Sequence, residues 1–224
     1  MRGLVIDTAL GLCSVVVFDD GGVVASRAEA MTKGHSERLG GLVRDVMAEA
    51  GDGFGSLARI GVVVGPGSFT GLRVGLAFAL GLGAALDRPV IGLSALDALA
   101  ASAPEGRPDD VAALIDARRG QVYVRFWTGG MATGPAEALS IEAAQERVRD
   151  LVGPRLLIGS GAALIQDTGV DIGVLPLAGP SAQALAHLTR QADPVLSPAR
   201  PLYLRAPDAT PPTRLPGQAR PERL

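Results

Sequence analysis

The chain has very few of the residues that most often carry chemistry. Its 224 residues include one cysteine, Cys13, two histidines and a single lysine, Lys33. One cysteine excludes an internal disulfide, which fits a reducing compartment, and we expect Cys13 to be a small core residue. The histidines, His35 and His187, do not form the closely spaced pairs of zinc sites. The sequence therefore predicts no metal centre.

Aromatic residues and net charge are also low. Aromatics make up 4% of the chain and the formal net charge is −2, so neither base stacking nor electrostatics favours direct nucleic-acid binding by the whole chain. The longest apolar run, residues 74–86, is shorter than a membrane span. The first residues are typical of a strand rather than a signal peptide. We expect a cytoplasmic protein with no membrane association.

Hydrophobic residues, at 47%, are enough for a sizeable core. Short strands are predicted over 4–8, 13–18 and 23–28, followed by a helix over 36–50 with Ser36 as its N-cap. A second strand hairpin is predicted over 111–127. The fold class expected is α/β, in two units of the βββαβα type covering residues 1–102 and 103–205. A Pro/Arg-rich tail, 206–224, is expected to be disordered.

The most informative segment is the turn Gly-Pro-Gly-Ser-Phe-Thr-Gly at residues 65–71. It follows an apolar strand and precedes a helix, and ligands often bind at such strand ends in α/β folds. Ser68 or Thr70 can cap the helix. The turn lacks the Lys-Ser/Thr pair of a Walker A loop and does not fit a dinucleotide fingerprint. Two interpretations remain: a weak anion site at the helix N-terminus, or a tight structural turn.

The helix after this turn carries small residues at every fourth position: Gly71, Gly75, Ala79 and Gly83. This row predicts the close approach of another helix, and a Gly75→Leu change would then wedge the two apart. Extra apolar surface on this helix and on the 36–50 helix would mark an interface. The candidate interface residues are Leu39, Leu42, Val46, Gly71, Leu72, Arg73, Gly75, Leu76 and Leu80.

Several polar residues have two interpretations each. Asp7 and Thr8, with Asp116, can be remnants of a phosphate site. Alternatively, Asp7 bonds to its own turn, and Asp116 closes a hairpin and pairs with a neighbouring arginine. His35 can contact a ligand or simply begin a helix. Arg73 can contact a partner or a phosphate, or form a surface ion pair.

Seven blocks of sequence, in this order and spacing, carry a family resemblance. They are Ile-Asp-Thr-Ala at 6–9, Cys-Ser-Val at 13–15, His-Ser-Glu at 35–37, Gly-Pro-Gly-Ser-Phe-Thr-Gly-Leu-Arg-Val-Gly at 65–75, Leu-Ser-Ala-Leu-Asp-Ala-Leu-Ala at 93–100, Ile-Asp-Ala-Arg-Arg-Gly-Gln-Val-Tyr at 115–123 and Tyr-Leu-Arg at 203–205. The duplicated layout resembles the actin, sugar-kinase and Hsp70 (ASKHA) superfamily. Within it, the blocks resemble the bacterial TsaB (YeaZ) family over residues 1–205.

The resemblance implies a non-catalytic subunit with no cofactor. TsaB proteins support a TsaD-like catalytic paralogue, which places N6-threonylcarbamoyladenosine (t6A) at position 37 of ANN-decoding tRNAs. The resemblance also implies pairing through helices of the first unit, homodimerisation by the same surface, a TsaE-like P-loop ATPase, and tRNA contact only through the complex. Two alternatives stay open: an active small ATP-dependent kinase or carbamoyltransferase, and a peptidase with a nucleophile beside a base.

Overall fold

The computed structural model describes residues 1–151, 155–165 and 172–205. The predicted tail, 206–224, lies outside the described residues. The first sheet comprises β1 (Gly3–Asp7), β2 (Leu12–Asp19), β3 (Gly22–Ala30), β4 (Arg59–Gly65) and β5 (Val90–Ser94). The strands lie in the order β3-β2-β1-β4-β5. The first three form an antiparallel meander, while β4 and β5 extend the sheet from β1 in parallel.

Three helices accompany this sheet: α1 (His35–Glu49), α2 (Phe69–Leu86) and α3 (Ala95–Ala100). Ser68 caps α2, because its hydroxyl accepts a hydrogen bond from the Gly71 N–H. Gly34, in a left-handed conformation, precedes α1. The prediction of Ser36 as the N-cap was therefore wrong: Gly34 occupies the cap position, two residues earlier, and the helix begins at His35.

The second half repeats the plan. Its strands are β6 (Asp110–Arg118), β7 (Gln121–Thr128), β8 (Met131–Ala132), β9 (Glu137–Ser140), β10 (Arg155–Ile158) and β11 (Ile172–Leu175), with helices α4 (Ile141–Arg149) and α5 (Ala182–Gln191). The order is β11-β10-β6-β7-β8, and β9 also pairs with β7. A short 3-10 helix, Ala162–Leu164, lies where the first half has α2. The repeated order confirms the predicted fold class of two ASKHA-type units.

The hydrophobic core has layers on both faces of the first sheet. Leu4 and Ile6 face a cluster shared with α1 and α2. Val5 faces a second cluster that includes Ile115 of β6 and Leu185 of α5. Because α5 packs on the first sheet and α3 contacts strands of both sheets, the core crosses the boundary predicted at residue 102.

After α5 the chain returns to the first sheet. Residues 193–205, here termed the strap, run along its β5 edge. The Gly92 N–H donates to the Ser197 carbonyl at 2.9 Å, and the Leu202 N–H donates to the Val64 carbonyl at 2.8 Å. The strap thus satisfies one edge group of β5 and one carbonyl of β4, and it ends beside the glycine-rich turn.

By length and composition, α2 could cross a membrane. Its glycine-bearing face is instead packed against the first sheet, with Gly71, Gly75, Ala79 and Gly83 all buried. This packing makes α2 an integral helix of the α/β fold.

Candidate functional site

The glycine-rich turn joins β4 to α2, and the β1–β2 turn fills the space in front of it. The Ser68 N–H donates to the Ala9 carbonyl, and the Thr8 hydroxyl donates to the Gly71 carbonyl, both at 2.7 Å. A Cβ atom at Gly67 would lie 2.3 Å from the Ala9 oxygen, and one at Gly71 would lie 2.0 Å from the Thr8 oxygen. The β1–β2 turn therefore packs directly against this turn and the first residues of α2, and only glycine fits at Gly67 and Gly71. The geometry supports the structural turn over the anion site.

The small-residue row of α2 packs on the sheet rather than on a helix. A Cβ at Gly75 would lie 2.4 Å from the Thr8 hydroxyl oxygen, and one at Gly83 would lie 2.3 Å from a methyl of Val90. The prediction that another helix packs against this row was therefore wrong. The row is small because α2 lies directly against β1 and β5, so Gly75→Leu would disrupt the protomer itself.

The prediction of interface residues also needs correction, because most of the leucine and valine candidates are buried. Five side chains lie in the protomer's own core, because the apolar stripes of both helices face the first sheet; they are Leu39, Leu42, Val46, Leu72 and Leu76. Their side chains are not available to a partner in this conformation. Of the candidates, Arg73 and Leu80 are the exposed ones.

The exposed face of α2 is apolar, and of its apolar residues only Leu80 was among those predicted for the interface. Phe69, Ala77, Leu80 and Ala84 lie on it, with Phe69 48% and Leu80 45% exposed. Arg73, on the same face, is the only charged residue of α2. The available signal was the set of apolar residues opposite the glycine row, at helical spacing.

Arg73 lies in an exposed aromatic cluster at the start of α2. Its guanidinium carbon is 3.8 Å from the Phe69 ring centroid, and its Nε donates to the Tyr203 hydroxyl at 3.2 Å. The Phe69 and Tyr203 rings are 5.5 Å apart. Arg73 therefore stacks on an aromatic ring, and with the residues that the structure describes it does not form the ion pair that was one of its predicted roles.

Asp7 is sealed inside the fold. Its side chain is fully buried, and Oδ1 accepts a hydrogen bond from the Ala9 N–H at 2.8 Å. Burial raises the pKa of this carboxyl from 3.8 to about 6, against the lowering effect of the Ala9 bond. Thr8 is also buried. The structure confirms the interpretation in which Asp7 bonds to its own turn.

A cleft of about 490 Å³ lies between the β1–β2 and β6–β7 hairpins. His35 and Ser68 line one wall, and Asp116, Arg118 and Ser160 line the other. Asp116 accepts a hydrogen bond from the Arg118 N–H at 2.8 Å, and its second oxygen lies 3.3 Å from the Arg118 guanidinium. This confirms the hairpin-closing role of Asp116.

His35 is the first residue of α1 and is buried. Within residues 1–151, 155–165 and 172–205, no group of three or more His, Cys, Asp or Glu side chains could hold a metal ion.

Comparison with known proteins identifies the family. The family model described as "TsaD: tRNA N6-adenosine threonylcarbamoyltransferase" matches residues 15–137. The tRNA threonylcarbamoyladenosine biosynthesis protein TsaB of Escherichia coli K12 is 34% identical over 181 residues, 78% of each chain. The chain belongs to the TsaB (YeaZ) family. An uncharacterized protein of Mycobacterium tuberculosis H37Rv is 34% identical over 216 residues, 93% of each chain.

A solved structure gives the same assignment. YeaZ from Pseudomonas aeruginosa superposes with a TM-score of 0.74 at 28% identity, covering 91% of this chain and 99% of that one. The TsaB-type fold therefore extends over nearly all of the chain.

Proposed function

We propose that this TsaB-family chain is a non-catalytic, cytoplasmic subunit of the machinery that makes t6A in tRNA. The observation that carries the proposal is the exposed apolar face of α2 in a member of this family. We propose that this face binds a TsaD-like catalytic paralogue and supports homodimers when that partner is absent. A TsaE-like ATPase and tRNA would join through the complex.

The chemistry of the α2 face suits a helical partner. Ala77, Gly81 and Ala84 are exposed and small, so a second helix can approach their backbone closely. Leu80 and Phe69 supply larger apolar groups, and covering them with a partner would remove apolar area from water. Removal of this exposed apolar surface from water favours association with the partner.

The adjoining helix widens this surface. Gly40 of α1 faces Phe78 of α2, with a Cβ at Gly40 placed 3.9 Å from that ring. Gly40 and Ala48 are exposed on α1. The two helices together form a layer that two helices of a similarly folded paralogue can cover.

The features of the cleft argue against catalysis by this chain. The start of α2 faces carbonyl oxygens, Asp7 is sealed, and Asp116 is bonded to Arg118. A fold shared with kinases does not by itself bring their activity. A chain of this kind would act by binding its partner.

The test is light scattering after size-exclusion chromatography, on this chain alone and mixed with the TsaD-like protein of the same organism. We expect a stable heterodimer. Leu80→Glu should weaken it by at least about tenfold, because a charge would enter an apolar interface, and tenfold corresponds to about 1.4 kcal/mol. Glutamate is a good helix former, so α2 should remain intact.

Val174→Glu is the matched control, because Val174 is 48% exposed on β11 of the other sheet. It should leave the heterodimer unchanged. A wild-type mixture that forms no heterodimer, with or without ATP and the TsaE-like protein, would contradict the proposed function. The next experiment would then be a search for ATP-dependent activity in the isolated chain.

A further inference from the structure

The exposed face of α2 carries two opposite charges at equal distances from Leu80. Arg73 lies seven residues before Leu80, and Asp87, the C-cap residue, lies seven residues after it. Seven residues make close to two full turns, about 10 Å along the helix, so the three side chains follow one stripe. All three residues are exposed. A groove of about 650 Å³ between α2 and the strap is lined by Leu80, Ala84 and Asp87, which places Asp87 on the same side as Leu80.

Neither charge is matched within the protomer. Arg73 and Asp87 form no ion pair with any residue that the structure describes. The next residue, Arg88, donates to the Leu57 carbonyl at 2.6 Å and to the Asp87 backbone carbonyl at 3.3 Å, so its guanidinium is directed at backbone and not at the Asp87 carboxylate. A carboxylate at the C-terminal end of a helix is locally unfavourable, because the helix dipole is negative there. A cation from another molecule would offset this cost.

We propose that α2 packs antiparallel on α2 of a second copy, about a two-fold axis at Leu80, with Arg73 of each copy paired with Asp87 of the other. The inference rests on the proposed role of the α2 face in homodimers. In a two-fold interface every contact occurs twice, and the equal spacing brings opposite charges together at both ends of the crossing. Parallel packing would instead place the two Arg73 side chains side by side, where like charges repel.

The middle of the stripe and the groove beside it suit the antiparallel register. Ala77 and Ala84 are exposed and lie three residues before and four residues after Leu80. Small side chains there let the two helix axes approach, while the two Leu80 side chains remove apolar surface from water. In this register the start of the other copy's α2, with the exposed ring of Phe69, lies over the groove. Prolines of the strap line that groove, so the ring meets apolar surface.

The test measures the homodimer of the chain alone by sedimentation equilibrium and then mixes two variants. Arg73→Glu brings carboxylates together at both ends of the crossing, and Asp87→Lys brings cations together, so each should weaken the homodimer by at least about tenfold. An equimolar mixture of the two variants should form a mixed dimer of wild-type affinity, because every contact then joins opposite charges. Native mass spectrometry identifies the mixed dimer. Mixing does not repair a folding defect, so this restoration reports the contact itself.

Two further variants sharpen the test. Asp87 has a φ of +54°, and Asp87→Asn removes the charge while keeping a residue that accepts this left-handed backbone. It should weaken the homodimer about three- to tenfold, because two ion pairs are lost without new repulsion. Arg107→Glu is the matched control, since it makes the same change of charge as Arg73→Glu on an exposed residue before β6 of the second half. It should leave the homodimer unchanged.

Four outcomes separate this inference from the proposed function. Homodimers that Arg73→Glu and Asp87→Lys leave unchanged would overturn the inference, and so would weakened homodimers that form no mixed dimer on mixing. A wild-type chain that stays monomeric would overturn the inference and the proposed homodimer, while the heterodimer with the TsaD-like protein is measured in a separate mixture and would stand. A homodimer of this register with no heterodimer would overturn the proposed binding of the TsaD-like protein and support this inference.

Discussion

At the scale of single residues, Asp7 is a buried acid whose ionisation opposes folding. Its folded pKa of about 6 lies above the ordinary value of 3.8, so the folded state binds a proton more tightly than the unfolded state. The contribution of Asp7 to the free energy of unfolding is therefore present at low pH and is lost as pH rises from about 4 to about 6. Among the described residues, Asp7 Oδ2 and the Ser14 hydroxyl on the paired strand have no hydrogen-bond partner.

Asp7→Asn should remove this pH dependence. Asparagine keeps an oxygen for the Ala9 N–H and cannot ionise. The advantage of the variant over wild type in free energy of unfolding should be about 2 kcal/mol larger at pH 7.5 than at pH 4.5. Urea unfolding of both proteins at both pH values measures it. Asp109→Asn, an exposed carboxylate before β6, is the control and should show a small difference. An equal effect of Asp7→Asn at both pH values would contradict the raised pKa.

At the scale of elements, α2 shows what the sequence could and could not predict. The strand–turn–helix order, a cap at Ser68 or Thr70 and the need for small residues at Gly71 and Gly75 could all be predicted from the local pattern. The element that packs against the glycine row could not be predicted. A spacing of four residues indicates that something approaches closely, but it does not say whether that element is a helix or a strand. Exposure likewise depends on which face the sheet covers, so the buried Leu72 and the exposed Leu80 look alike in sequence.

Two glycines of α2 should respond oppositely to alanine. A Cβ at Gly71 would lie 2.0 Å from the Thr8 carbonyl oxygen, whereas a Cβ at Gly81 would meet no atom of the described residues within 4 Å. Gly71→Ala should lower the free energy of unfolding by about 2–3 kcal/mol, because the backbone of α2 or of the β1–β2 turn must move to make room for the methyl group. Gly81→Ala should raise it by about 0.5–1 kcal/mol through helix propensity. Urea unfolding of both variants measures the contrast, and a stable Gly71→Ala protein would show that α2 does not lie this close to the β1–β2 turn.

At the scale of the whole molecule, the two halves share one core and are joined by specific contacts. Arg125 of β7 pairs with Asp97 of α3 at 2.6 Å, and α5 crosses from the second half onto the first sheet. The duplication could be predicted because each half has its own hairpin and periodic helix. The crossing of α5, the short β9 and β11, and the strap could not, because they depend on contacts between segments far apart in sequence.

Arg59 holds this crossing in place. Its Nη1 donates to the carbonyls of Thr189, Arg190 and Ala192, at 3.0–3.1 Å, so one guanidinium from β4 covers the C-terminal end of α5. Carbonyls at a helix end lack partners within the helix, and a cation there also complements the helix dipole. Arg59 thereby ties the last helix of the second half to the first sheet.

Arg59→Met keeps most of the side-chain stem and removes the donors and the charge. It should lower the free energy of unfolding by about 2–3 kcal/mol, since hydrogen bonds from a charged group are lost from a partly buried site. Hydrogen exchange should show α5 losing protection before the second sheet does, because the tie acts on α5 alone. Arg27→Met, which removes an exposed ion pair with Glu49, should cost about 0–1 kcal/mol. Loss of protection in α5 and β6 together in Arg59→Met would contradict this prediction. It would mean that the two halves unfold as one unit. The packing of α3 and α5 in the shared core, rather than Arg59, would then hold the halves together.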